Sequence, residues 1–354
     1  MLQIFFISML SLSSLIRAES HFEAWKGFSD PEIMSSGFTH ELDKLPLNGT
    51  IDINPRGWSG DYWASKKGSI NFRWNSPNPE GFKLKSPTQI EAKAMSSAQI
   101  ATLAPSEKYD LLLGNYEYPL RKEVEDVASK LSSDWAGICH GWAPASLHHH
   151  EPQPKVLRNP EGLLIPFGSS DIKALLSYYY AFYAEDESTH QVGLRCFFGR
   201  WMGGARGCNE DLNAGAFHIV MSNMLGLRGE GFVADIDRFK EVWNQPIVAF
   251  ESEITSPRLA PSEFAAKNTV YELRIKTKLF YVDESDENSW QSVFGTNQQK
   301  ISARQLQYRI ELNREHKIIG GTWESEERPD FLWNRDKAKH FKGLFYRLPE
   351  LLND

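Results

Sequence analysis

Cysteine is scarce in this chain: three residues in 354, at Cys139, Cys196 and Cys208. So few exclude a small disulfide-stapled scaffold, and the length leaves room for about two domains. There is no Lys/Arg-rich block. With Lys+Arg at 39 against Asp+Glu at 46 the net charge is -7, which argues against a nucleic-acid partner. No internal repeat or low-complexity stretch appears. A hydrophobic content of 41% with 24% charged residues excludes disorder for the bulk of the chain. Beyond the first 16 residues, no apolar run is long enough to span a membrane.

What is there begins with that N-terminal run. Residues 1–16, MLQIFFISMLSLSSLI, contain no acid, and Ile16-Arg17-Ala18 ends on the small residue that signal peptidase requires. The pattern predicts a signal peptide over 1–18, no membrane attachment after its removal, and a secreted or periplasmic protein. In an oxidising compartment an odd cysteine count leaves one thiol over. Cys196 and Cys208 bracket the glycine-rich run CFFGRWMGGARGC. They are the expected disulfide, worth roughly 3 kcal/mol on the chain-entropy argument. Cys139 is then the free thiol, either buried and inert or reactive.

Residues 19–105 carry turn signals and scattered tryptophans, and read as a cover or pro-like region. Helices are expected over 88–102, 106–113, 121–131, from Cys139 onward, and over 170–184. A β-hairpin is expected at 216–224 and 231–237, with further strands at 269–282, 305–312 and 317–323. Helices first and antiparallel sheet after make an α+β fold.

Cys139 precedes a run of small residues, where a helix start would aim its positive end at the sulfur and favour thiolate. The candidate base is His218, on the first strand of the expected hairpin. Asp235 falls opposite it, where Cβ atoms of paired residues lie about 4.5–5.5 Å apart. Spacing alone leaves a core cysteine and a structural histidine equally open. His148-His149-His150 reads as a solvated loop. Asp283-Glu284-Ser285-Asp286-Glu287 reads as a solvated turn without the position pattern of a calcium loop. No metal and no cofactor are expected.

These residues also carry a family resemblance. Gly137-Ile138-Cys139-His140-Gly141-Trp142-Ala143-Pro144-Ala145-Ser146 resembles the nucleophile segment of the transglutaminase elicitor family. Similar runs follow in the same order: Pro166-Phe167-Gly168-Ser169-Ser170-Asp171, Asn213-Ala214-Gly215-Ala216-Phe217-His218, Glu241-Val242-Trp243-Asn244-Gln245-Pro246, and Arg328-Pro329-Asp330-Phe331-Leu332-Trp333. The resemblance implies a papain-like or transglutaminase-like core over 106–345, with a cysteine-bearing helix packed on an antiparallel sheet. It implies a secreted enzyme moving an acyl group from glutamine to an amine, on protein or peptide substrates bearing Gln and Lys. Cys139 carries over as nucleophile and His218 as base. The third member is Asp235 or, in the papain manner, Asn244. His140 ranks below His218, because neighbouring residues on a helix point apart. A transferase must keep water from its thioester, so Trp142, Trp201 and Trp243 are candidate walls of a dry channel. A cysteine peptidase or amidase with the same residues, and a non-catalytic recognition protein, are the competing readings.

Overall fold

Helices dominate the first half of the chain and strands the second. In the computed structural model the described residues are 24–352 apart from 26, 53–56, 185–188, 196–211, 237–240 and 286. The expected signal peptide, the Cys196–Cys208 disulfide and Trp201 lie outside them. In chain order the elements are β1 (Asn48–Thr50), α1 (Gln89–Ala94), α2 (Ser97–Ile100), α3 (Pro105–Leu112), α4 (Pro119–Val127), α5 (Cys139–His148) and the hairpin β2 (Lys155–Arg158) and β3 (Leu164–Phe167). Then come α6 (Ser169–Phe182), β4 (Thr189–Val192), α7 (Ala214–Met221) with a π-helical extension (Ser222–Arg228), β5 (Phe232–Asp235), β6 (Asn244–Ile254), β7 (Tyr271–Val282), β8 (Ile301–Leu312), β9 (Ile318–Trp323) and β10 (Phe331–Arg335).

Two sequence expectations are corrected. The single helix over 88–102 is two, because Ser96 restarts the chain with its own capping box to Gln99, just as Thr88 does with Glu91. The first strand of the 216–224/231–237 hairpin is instead α7 and its π extension. Asn213 caps α7 by accepting from the N–H groups of Gly215 and Ala216, and all eight helical residues are buried. A helix buried on every side shows no polar stripe, so its run of apolar residues passes for a strand.

Apart from the β2–β3 hairpin, the strands form one antiparallel sheet in the order β4-β10-β5-β6-β7-β8-β9, with β1 pairing to β6 beyond the end of β5. Successive side chains of a strand point to opposite faces. Val233, Val248, Val282 and Trp333 join a core with α3 to α6 on one face. Phe232, Ala234, Ile247 and Leu332 join a second core with α7 on the other. The residues ahead of 106 belong to both: Trp58, Trp63 and Ile70 fill the first core, Met34, Phe38 and Leu45 the second. Two buried ion pairs, Lys108–Asp171 and Lys173–Glu151, tie the helical layer together. Among the described residues no helix is long and apolar enough to cross a membrane.

Candidate active site

Cys139 is the first residue of α5, as its small neighbours suggested. At Gly141 a Cβ would stand 2.0 Å from the Ser177 carbonyl oxygen, so only glycine lets α5 lie this close to α6. The helix start is also held from outside: the Ile138 N–H donates to the Tyr62 carbonyl at 2.7 Å. The Tyr62 ring meets Trp243 edge-on at 5.8 Å. The Trp142 indole N–H donates to the Trp58 carbonyl at 3.3 Å. A stretch of the N-terminal region thus lies against the segment that carries the cysteine.

Cys139 is 5% exposed, with its sulfur buried at the α5 start. The sulfur stands 3.9 Å from the Val242 carbonyl oxygen, which accepts from the thiol, and 3.7 Å from the Asn244 side-chain nitrogen, which donates to it. Burial pushes the thiol above its ordinary range. Asn244 acts the other way through its main-chain and side-chain N–H groups, and the carboxylates of Glu284 and Asp235 add to the rise. Burial thus favours the neutral thiol, and Asn244 and the helix start work against it.

Asn244 opens β6 directly opposite Asp235 in the β5–β6 ladder. Its side-chain oxygen accepts from the Trp333 indole N–H at 2.8 Å. Asp235 lies on the face of Val233, toward α5, and accepts from the Trp243 N–H at 3.0 Å. Glu284 follows β7 and takes both side-chain hydrogen bonds of Gln245, each at 2.9 Å. Burial raises the Glu284 carboxyl to about 7. Glu284, expected in a solvated turn, is thus partly buried and held by Gln245.

The structure does not bring His218 to Cys139. His218 lies on α7, in the core on the opposite face of the sheet, and is fully buried. Its Nδ1 pairs with the Tyr308 hydroxyl at 2.8 Å, which continues to Thr277 and on to Ser252. Among the described residues its Nε2 has no hydrogen-bond partner, and burial lowers its pKa to about 4. The sheet separates the two groups, and the expected His218–Asp235 pairing across a hairpin does not exist. His140 adjoins the thiol in sequence, but its ring meets Phe182 edge-on at 6.2 Å. His148 ends α5, a rise of about 14 Å along the helix axis from Cys139, and His149 follows it. They are not a solvated loop: His149 is buried against the Tyr180 hydroxyl, and His148 pairs with the Arg335 carbonyl. Among the described residues no group of three or more His, Cys, Asp or Glu could hold a metal ion.

Trp142 is fully buried core, whereas Trp243 is half-buried beside Tyr62 at the edge of the site. Glu284, Tyr62 and Trp333 went unassigned in the sequence. The signal for Trp333 was present in the run that ends Phe331-Leu332-Trp333.

The family model described as transglutaminase elicitor matches residues 125–342, a span holding every residue named around the sulfur except Trp58 and Tyr62. The chain belongs to the transglutaminase elicitor family. The crystal structure of the GP42 transglutaminase from Phytophthora sojae matches with a TM-score of 0.65 at 22% identity, covering 90% of this chain and 94% of that one. At that identity the likeness is one of fold: mixed helix and sheet, with a curled antiparallel sheet. No curated protein matches the chain.

Proposed function

We propose that the protein is an exported thiol acyltransferase of the transglutaminase type, with Cys139 as nucleophile. The carrying observation is a cysteine at a helix start whose sulfur receives N–H groups from Asn244. Its neighbours supply carboxylates rather than an imidazole. Glu284 is the carboxylate whose charge acts most strongly on the thiol. A carboxyl titrating near neutrality can both take a proton and return it. Glu284 accepts the thiol proton as sulfur attacks the glutamine carboxamide. It returns that proton to the departing ammonia, leaving a thioester. An incoming amine takes the acyl group, and its proton passes back to sulfur. Lysine side chains on protein or peptide partners are the acceptors this chemistry fits. The acid-free apolar run at 1–16 supports export.

A second reading is a non-catalytic recognition protein. The burial of the thiol favours it. Incubation with a labelled primary amine and a glutamine-bearing protein separates the two. Label incorporated by the wild-type protein but not by Cys139→Ala supports the acyltransferase. Equal labelling by both, or none by either, favours the recognition protein.

A further inference from the structure

We infer that the Asn244 carboxamide is a catalytic hydrogen-bond donor, aimed by Trp333, that stabilises negative charge on the Cys139 sulfur and on the acyl oxygen bound through it. The inference rests on the acyl-transfer reading and assigns Asn244 a role different from that of a third triad member. An asparagine side chain has one accepting end and one donating end, whereas an indole N–H only donates. Trp333 donates to the Asn244 oxygen at 2.8 Å, so that oxygen is the accepting end. The donating end is thereby fixed toward Sγ, at 3.7 Å. Asn244 is 6% and Trp333 5% exposed, so water does not compete for either end.

A triad asparagine would accept from an imidazole N–H. Here the candidate imidazole, His218, lies on α7 across the sheet. What remains is donation. When sulfur attacks, the S–C bond forms and the carbonyl π pair moves to oxygen. That oxygen is held one carbon away from the sulfur the amide already faces. Collapse then restores the carbonyl and breaks the C–N bond, with the proton going to ammonia. A donor fixed before the reaction is worth most in such a dry site, because it need not reorganise as charge appears. Trp333 touches no reacting atom and is a positioning residue.

The test compares wild-type protein with Asn244→Ala, Asn244→Asp and Trp333→Phe, each first shown to be folded by its thermal transition. Two quantities are read: kcat and KM for amine incorporation, and the pH dependence of Cys139 alkylation by iodoacetamide. Asn244→Ala is expected to lower kcat by about 10²–10³ with KM little changed. It should also move thiol titration to higher pH. Asn244→Asp, which cannot donate, should lose at least as much. Trp333→Phe should shift both quantities in the same direction by less, because the amide is kept but no longer aimed. A folded Asn244→Ala with unchanged thiol titration overturns the assignment, whatever turnover shows. Wild-type protein that incorporates no amine, while Asn244→Ala still raises the titration, overturns the acyl-transfer reading and leaves the sulfur contact standing.

Discussion

The two faces of one sheet hold a thiol and an imidazole and surround them differently. On the α5 face, Cys139 sits at a helix start among polar groups: a carbonyl, an amide and two carboxylates. On the α7 face, His218 is buried in the helix that carries Phe217 and Met221 into the second core, its ring against the Tyr308 hydroxyl. A thiol surrounded by donors and titratable groups can change charge during a reaction. An imidazole sealed in apolar packing is held neutral. The order Cys, His, Asp along the chain says nothing about which face each occupies, and one short helix placed below the sheet instead of above it separates the pair.

Removing the reactive group on each face sharpens the contrast. The largest expected effect is Cys139→Ala, which should reduce amine incorporation to background while leaving the thermal transition near that of the wild type. Next comes the polar layer behind the thiol. Lys108→Met leaves Asp171 as a buried carboxylate without its cation, which should cost about 3–5 kcal/mol in urea unfolding. The α7 face should respond to acid instead. His218 is held neutral down to about 4, against 6.5 for the unconstrained side chain. Between those values the unfolded chain binds a proton that the folded protein refuses. The stability that His218 contributes is therefore full above pH 6.5 and is lost as the pH drops toward 4, by about 3 kcal/mol. The stability of the wild type relative to His218→Gln in urea unfolding should fall by that amount over this range, and a difference that does not change with pH would show the histidine is not the source.

The parts of this arrangement that could be read in advance are those written in local pattern. Gly141, Ala143 and Ala145 marked a helix start that packs tightly, and α5 begins at Cys139. Strands β7, β8 and β9 alternate apolar and polar residues, and appear where alternation put them, β8 beginning a few residues earlier. Helix α7 could not be read from periodicity, since burial on all sides erased its stripe, although Asn213 offered a cap. Strand β6 was missed as a strand, yet its first residues, Asn244 and Gln245, were already marked by the family run. The role of Asn244 depends on Trp333, 89 residues away along the chain. No local pattern encodes which end of an amide an indole will hold. Glu284 looked like one acid among several in a turn, and only its burial beside Gln245 sets it apart.

The most direct test of the account is the rate of amine incorporation by folded His218→Gln relative to wild type at neutral pH. A histidine on the far face of the sheet takes no part in the chemistry, so the account predicts a rate close to wild type alongside an inactive Cys139→Ala. A folded His218→Gln as inactive as Cys139→Ala would contradict it, because the imidazole would then have to reach the sulfur.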